Sequence, residues 1–177
     1  TRHLHEHIEG TVDLPARLGS VATYSALLAR FYGFYAPIEQ GLAAVDGYET
    51  VGLDSAERRK THLLRADLLA LGVAAATIDR LPRCQALPAV SGLAAALGCL
   101  YVLEGATLGG QVIKREVKAK LGLAAGPTGG CAFFAAYADR TGAMWTAFRS
   151  TLSRFTAGSA MATEQVVAAA ADTFIRL

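Results

Sequence analysis

The sequence predicts an all-α fold, folded as a single domain over residues 1–177. Three observations support this prediction. Hydrophobic residues make up 53% of the chain and charged residues 18%, which supplies one substantial core and excludes a disordered chain. Only five prolines occur, in a chain rich in helix-forming Ala and Leu. Apolar side chains recur at helical spacing, and the alternation typical of β-strands is not found.

The first half of the chain predicts four helices. Residues 1–9 are typical of the end of a first helix, which Gly10 closes. A second helix is expected over Ser20–Leu42, where apolar residues recur every three or four positions. The capping-box pattern Asp54-x-x-Glu57 predicts a third helix from Asp54 to Leu71, ended by Gly72. A short fourth helix is expected near Ala75–Leu81, before the loop that contains Pro82 and Pro88.

The second half predicts one long helix and three shorter ones. The long helix is expected over Ser91–Leu121, and the run Gly126–Gly130 predicts a clear break after it. The three that follow are expected at Phe133–Tyr137, at Thr141–Phe155 and from about Ala160 onward. The short loops between these segments favour a compact helical bundle.

Charge and cysteine content exclude several classes of function. The net charge is +2, and no basic stripe with interleaved aromatic residues is found, so we expect no nucleic-acid partner. The longest uncharged apolar run, Ser91–Leu103, is shorter than the ~20 residues of a membrane helix, so we expect no membrane association. Three widely spaced cysteines without a C-x-x-C pair are typical of reduced thiols in a cytoplasmic protein.

The N-terminal histidines are candidate metal ligands. Four residues separate His5 from Glu9, so on a helix the carboxylate can bond one imidazole nitrogen and orient the other toward a metal. A histidine-rich surface turn explains the same residues without a ligand. His3 and His7 are also four apart and could chelate a divalent ion, although no further ligands lie nearby in the sequence.

Three glycines inside the longest predicted helix need an explanation. Each glycine in a helix interior costs roughly 0.5–1 kcal/mol relative to alanine. Gly105 and Gly109 lie on one face, where bare backbone could bend or could accept a large, flat ligand; Gly110 follows directly. Close helix–helix packing through small residues is the alternative, and the spacing does not match a dinucleotide-binding loop.

A stripe of apolar side chains at helical spacing follows in the predicted helix Thr141–Phe155. Trp145 and Phe148 belong to it, and such stripes are ordinarily core. Arg149, at the edge of the stripe, could pair with a carboxylate at the rim of a pocket. It could equally extend along the surface into solvent.

Four segments in the correct order resemble the heme oxygenase family, and in particular its bacterial, phytochrome-associated members. LYVLEGATLGGQVI (100–113) resembles the distal-helix signature, and TRHLHEHIE (1–9) resembles the proximal helix with its iron-ligating histidine at His5 and a supporting carboxylate at Glu9. FYGFYAPIE (31–39) is similar to the second helix, with Tyr32 at the position of a distal-side tyrosine. CAFFAAY (131–137), followed by Trp145–Arg149, is similar to the segment whose arginine, here Arg149, binds a heme propionate.

The resemblance implies a heme site with two sides. His5 would bind the heme iron, and heme would lie between the N-terminal helix and a glycine-bent distal helix. The heme-binding residues would be His5, Glu9, Gly105, Gly109, Gly110, Phe148 and Arg149. The residues implied on the side where oxygen reacts are Tyr32, Gly105, Ala106 and Gly109.

Two positions depart from the family's pattern. Many members carry an aspartate that holds a proton-delivering water network, and the matching residue here is Ala106, which cannot bond a water through its side chain. We expect the proton relay to use backbone carbonyls, Thr107, Tyr32 or ordered water instead. Trp145 stands where animal members carry a propionate-pairing lysine, so we expect heme to sit rotated in its plane.

The function implied by the resemblance is oxidative cleavage of heme to biliverdin, CO and free iron by O2. No flavin or nicotinamide motif is found, so the electrons would come from an external donor such as ferredoxin, flavodoxin or a reductase, and a phytochrome is a candidate recipient of the product. A non-catalytic heme-storage or heme-sensing protein of the same fold is the alternative. A di-iron protein of this fold would need Glu-x-x-His pairs, which the sequence does not contain, and a plain helical scaffold would leave the three glycines unexplained.

Overall fold

The computed structural model describes residues 17–126 and 128–177, and these residues form an all-α fold. Two short 3-10 helices, Tyr48–Val51 and Ala138–Arg140, accompany the α-helices. The α-helices of the described residues are α1 (Val21–Ala43), α2 (Thr61–Ala70), α3 (Ala75–Asp79), α4 (Leu93–Leu121), α5 (Ala132–Ala135), α6 (Thr141–Thr156) and α7 (Ala160–Arg176). The predicted fold class is therefore confirmed. The predicted first helix, residues 1–9, lies outside the described residues.

The 29-residue helix α4 lies at the centre of the fold and packs against α5, α6 and α7. Its contact with α7 is the most extensive between any two helices of the described residues. A β-carbon at Gly98 would overlap the carbonyl oxygen of Val166, so the two helices approach through bare backbone. The predicted helix Ser91–Leu121 is thus correct to within two residues, and α4 remains helical through its glycines.

Helix α4 is also long and apolar enough, by length and composition, to cross a membrane. However, 56% of its most apolar window is buried inside the protein, as is usual for the core helix of a soluble protein. One such helix is weak evidence for a membrane span. The absence of membrane association therefore stays a prediction.

Helix α1 contains Pro37, yet continues without a break from Val21 to Ala43. A proline in a helix removes the hydrogen bond to the carbonyl four residues earlier, here that of Gly33. The backbone N–H of Cys84 donates to that carbonyl instead, at 2.9 Å. Gly33 allows this approach, because a β-carbon there would lie 2.6 Å from the carbonyl oxygen of Pro82. The loop after α3 is therefore fixed to the middle of α1.

The predicted start of the third helix at Asp54 is wrong. Asp54 does bond the N–H groups of Ala56 and Glu57, at 2.8 and 3.3 Å, but it closes only a turn. Helix α2 begins seven residues later, at Thr61. The carboxylate of Glu39, from α1, accepts the first N–H groups there, those of Lys60 at 2.6 Å and Thr61 at 3.1 Å. The cap is supplied by a distant residue, which the local capping-box pattern cannot reveal.

The short helix α5 is held at both of its ends by side chains from other helices. Asp67 of α2, which is fully buried, accepts the N–H groups of Ala132 at 2.6 Å and Phe133 at 2.8 Å. At the other end, the side-chain amide of Gln111 on α4 donates to the carbonyl of Ala135 at 3.1 Å. These bonds satisfy backbone groups that a helix of four residues cannot pair internally.

The turn after α5 has a strained backbone. Ala136 has φ +46° and ψ −110°, and Ala138 has φ +55°, values that residues with a β-carbon rarely adopt. Such conformations cost of order 1–3 kcal/mol each and persist only where surrounding contacts hold them. The two strained residues flank Tyr137, whose hydroxyl is bonded inside the protein. The strain thus lies on either side of a residue whose side chain is fixed by a hydrogen bond to Glu104 of α4.

Replacing Asp67 with alanine is expected to destabilise the protein by about 2–4 kcal/mol, because two buried N–H groups of α5 lose their acceptor. Urea denaturation followed by circular dichroism measures this change. Asp79→Ala is the matched control, since Asp79 pairs with Arg65 at the surface and its loss should leave stability nearly unchanged. Equal losses of stability in the two variants would show that the Asp67 cap stabilises the protein no more than an exposed ion pair does.

Candidate functional site

Helix α4 has an exposed apolar surface with a glycine, Gly109, at its centre. Among the described residues, no atom lies within 4 Å of the position a β-carbon would take at Gly109. Leu108 and Val112, on either side of it, are 42% and 60% exposed. We call the surface formed by Gly105, Leu108, Gly109 and Val112 the glycine face. It is apolar, and no described residue covers Gly109, which leaves room for a large ligand to approach the helix backbone.

The three glycines singled out in the sequence have different surroundings. Gly105 lies against the indole ring of Trp145, which would be 3.6 Å from an added β-carbon. Gly110 faces away from the glycine face, and the carbonyl oxygen of Phe134 in α5 would lie 3.0 Å from its β-carbon. Gly110 therefore serves helix packing, the alternative considered for all three, whereas no described residue packs on Gly109.

Aromatic side chains of α6 close one end of the glycine face. Trp145 packs against Tyr101 with ring centroids 5.4 Å apart, and it stacks on Phe148 at 6.2 Å. Phe148 is fully buried and lies beneath the guanidinium group of Arg58, 5.3 Å from its ring centroid. Phe148 is thus linked to the glycine face through Trp145, and its predicted contact with heme stays a prediction.

Two further predicted site residues are exposed to solvent. Ala106 lies on the surface of α4 beside Gly105. Arg149 is exposed on α6 and makes no hydrogen bond or ion pair within the described part of the chain. Its guanidinium group therefore remains available to a carboxylate.

The structure places Tyr32 at the loop after α3. The guanidinium group of Arg83 lies over its ring, 4.6 Å from the centroid. Tyr35, one turn later on α1, packs edge-on against Phe133 of α5, with ring centroids 5.1 Å apart. Burial, and then the negative charges of Glu39 and Glu104, raise the pKa of Tyr35 above its usual range. Tyr35 is therefore the tyrosine of this segment that lies near Glu104 of α4.

Behind the glycine face, α4 carries a buried charged cluster that the sequence analysis missed. Glu104 is 1% exposed, and its carboxylate contacts Arg58 and Lys60 at 2.5 Å each and the hydroxyl of Tyr137 at 2.8 Å. We call these four residues the Glu104 cluster. Arg58 and Lys60 are themselves 7% and 2% exposed, so two cations and one carboxylate are removed from water together.

The Glu104 cluster ties three parts of the chain together. Lys60 also donates to the carbonyl of Arg58 at 2.8 Å and to the Tyr137 hydroxyl at 3.2 Å, so its ammonium group has three partners. Burial and the adjacent carboxylate of Glu104 raise the pKa of Tyr137, which keeps this phenol neutral. The Nε atom of Arg58 is buried without a partner among the described residues.

The sequence did contain a signal for this cluster. Glu104 is the only charged residue between Ser91 and Ile113, inside an otherwise apolar helix. A carboxylate in such a position must be paired when it is buried. The pattern could therefore have predicted a cationic partner for Glu104, although not which of the basic residues supplies it.

The candidate iron ligand His5 and its partner Glu9 lie outside the described residues. Within residues 17–126 and 128–177, no group of three or more His, Cys, Asp or Glu side chains could hold a metal ion. Two of the cysteines are buried, and burial raises the pKa of Cys131 to about 11, so this thiol stays protonated near neutral pH.

Replacing Glu104 with alanine is expected to cost about 3–5 kcal/mol of folding free energy, because it leaves Arg58 and Lys60 buried without their carboxylate. Urea denaturation gives the value. Glu116→Ala removes an exposed carboxylate of the same helix, which pairs with Lys120, and should cost about 0.5 kcal/mol or less. Similar costs for the two variants would contradict the role of the buried cluster.

Comparison with known proteins agrees with this geometry. The family model for heme oxygenase matches residues 1–176, which is nearly the whole chain and includes the glycine face. A search of curated protein sequences returned no significant match. An all-α fold, an open glycine face on its central helix and a full-length family match lead to one conclusion: the chain belongs to the heme oxygenase family.

Proposed function

We propose that this protein is a bacterial-type heme oxygenase that opens heme to biliverdin, CO and free iron, using O2 and electrons from an external donor. Membership of the family supports heme binding and degradation in general terms. The observation that carries the finer proposal is Gly109, where a helix inside the family's signature segment presents bare backbone to open space. A planar macrocycle can lie there at van der Waals distance, which any larger side chain would prevent.

The chain's own residues would bind and orient the heme. The glycine face would cover one side of the ring, with Trp145 as a wall at the Gly105 end. His5, supported by Glu9, is the proposed iron ligand on the other side. Arg149, exposed and unpaired within the described residues, is the proposed partner of a propionate. When bound, heme is the substrate, and its iron supplies the oxygen chemistry.

Proton delivery is proposed to depend on ordered water. Ala106 offers no side-chain donor or acceptor. The hydroxyl of Thr107 is buried and donates to the carbonyl of Glu104 at 2.6 Å, so its proton is committed to the helix. Tyr32 lies against Arg83 at the loop after α3. Of the four relays considered from the sequence, water and backbone carbonyls beside Ala106 thus suit the structure best.

A non-catalytic heme protein of the same fold, for storage or sensing, is the second candidate. Ala106 and Thr107 favour this second candidate. Neither residue offers a free hydroxyl or carboxylate beside the glycine face that could deliver a proton. In either case heme would be the ligand. A cytoplasmic location, a ferredoxin, flavodoxin or reductase as electron donor, and a phytochrome as recipient of biliverdin belong to the oxygenase proposal.

Visible spectroscopy of the purified protein with hemin tests the proposal. A one-to-one complex should form, and ascorbate or reduced ferredoxin in air should convert its Soret band to a biliverdin spectrum. A heme complex that survives both reductants would reject the oxygenase and support the storage or sensing protein. Failure to bind hemin at all would reject both candidates.

The substitution Gly109→Leu is expected to weaken hemin binding by about tenfold or more, because the side chain fills the space over the ring. Titration followed at the Soret band measures the affinity. Gly41→Leu is the matched control, since Gly41 lies in α1, is remote from α4 in sequence, and likewise has no described atom within 4 Å of its β-carbon position. Unchanged affinity in Gly109→Leu would contradict the proposed binding surface.

Replacing His5 with alanine is expected to remove the axial nitrogen ligand while leaving the helical circular dichroism spectrum unchanged. Electron paramagnetic resonance of the ferric complex detects the loss, and added imidazole should restore the ligand. The control is His62→Ala, since His62 is exposed on α2. An unaltered axial ligand in His5→Ala would instead point to His3 or His7.

A further inference from the structure

We infer that the turn between α5 and α6 holds the glycine face in shape, because it is bonded to α4 at both ends of the glycine segment. The turn is Ala136–Arg140, called here the α5–α6 turn, and the glycine segment is Gly105–Gly110. Gln111 and Tyr137 are the positioning residues, and neither is assigned a contact with a ligand. The inference rests on the proposed function, since it concerns the surface proposed to bind heme.

The glycine segment is the part of α4 that can least hold its shape by itself. Three of its six residues, Gly105, Gly109 and Gly110, are glycine, which loses more backbone freedom in a helix than any other residue. Of the residues that the structure describes, none lies within 4 Å of the β-carbon position at Gly109. Contacts from outside the segment must therefore keep α4 helical here.

Two such contacts come from the residues that flank the glycine segment. Glu104 precedes the segment and Gln111 follows it, and the two are seven positions apart, or about two helical turns. Their side chains therefore leave α4 on the same side. The carboxylate of Glu104 accepts a hydrogen bond from the hydroxyl of Tyr137, in the middle of the α5–α6 turn, at 2.8 Å.

Gln111 bonds the two ends of the same turn. Its side-chain amide donates to the carbonyl of Ala135, the last residue of α5, at 3.1 Å. It also donates to the hydroxyl of Thr141, the first residue of α6, at 3.2 Å. Lys114, one turn further along α4, donates to the side-chain oxygen of Gln111 at 2.7 Å and so fixes the direction of the amide. The α5–α6 turn is thus bonded to α4 before and after the glycine segment.

The α5–α6 turn would not keep its conformation without these bonds. Ala136 and Ala138 have φ values of +46° and +55°, which persist only where surrounding contacts hold them. If the turn relaxed, α6, which begins at Thr141, would move with it. Trp145, about one helical turn further along α6, lies against Gly105. The bonds to α4 therefore also keep Trp145 at its end of the glycine face.

Hydrogen exchange of the protein without heme, followed by mass spectrometry, tests this attachment. Tyr137→Phe removes one hydroxyl, and Gln111→Met removes the amide at nearly constant side-chain length. At short labelling times, which report local opening, each should raise the exchange rate of the glycine segment about fivefold or more, the effect of one lost hydrogen bond. Exchange in α1 at the same times should stay unchanged.

The fluorescence of Trp145 gives a second, independent reading. Trp145 is the only tryptophan of the chain, so its emission reports on one end of the glycine face. In Tyr137→Phe and Gln111→Met, a loosened α6 should admit water to the indole ring. We expect emission at longer wavelength and stronger quenching by acrylamide in both variants. A loss of global stability alone would change neither quantity in the folded protein.

Two substitutions serve as matched controls. Tyr48→Phe removes another buried hydroxyl, which donates to the carbonyl of Leu42 at 3.0 Å, away from the glycine segment. Arg140→Ala removes an exposed ion pair of the α5–α6 turn itself, with Glu57 at 3.3 Å. Neither should change the exchange of the glycine segment or the quenching of Trp145.

Hemin titration at the Soret band completes the test. Affinity should fall about fivefold or more in Tyr137→Phe and Gln111→Met and stay unchanged in both controls. Unchanged exchange and quenching in the two variants would overturn the attachment, and faster exchange with unchanged affinity would overturn its role in positioning the site. If the unaltered protein binds no hemin, the proposed function fails, while exchange and quenching still decide whether the turn holds the glycine segment.

Discussion

The arrangement of the whole fold depends on how closely neighbouring backbones approach α4. Gly98 brings the carbonyl of Val166 in α7 against the helix, and Gly110 does the same for Phe134 in α5. Any larger residue at either position would separate the helices and open the core between them. Because these contacts occupy other sides of α4, the helix can leave Gly109 uncovered. The same residue type thus serves packing at two positions, while at a third no described residue packs on it.

Helical periodicity was sufficient to predict the helices that carry a long apolar repeat within their own sequence. Helices α1 and α4 begin and end within two residues of their predicted bounds, because their apolar repeats are long and uninterrupted. The start of α2 could not be predicted, since its cap is Glu39, 21 positions away. The glycine segment could be singled out as a candidate site, but only coordinates distinguish Gly109, which no described residue covers, from Gly110, which packs against α5. The partners of Glu104 were equally inaccessible, because they lie 44 and 46 positions away.

The polar groups of this protein are distributed unusually around the glycine face. The exposed side chain after Gly105 is Ala106, and the hydroxyl of Thr107 is turned into the helix. The charged groups lie instead on another side of α4, where Glu104 forms ion pairs with Arg58 and Lys60 of the segment before α2. The side of α4 with Gly109 is thus apolar, and the charged side chains on its other side are each held by several bonds.

The double attachment of α5 has a consequence for how the protein opens. A four-residue helix on its own would fray constantly, because it has almost no internal hydrogen bonds. Here its N–H groups are held by Asp67 of α2 and its last carbonyl by Gln111 of α4. The amide protons of Ala132 and Phe133 can therefore exchange with solvent only when α2 separates from α5. We therefore expect the shortest α-helix of the described residues to open together with α2 and α4, rather than to fray by itself.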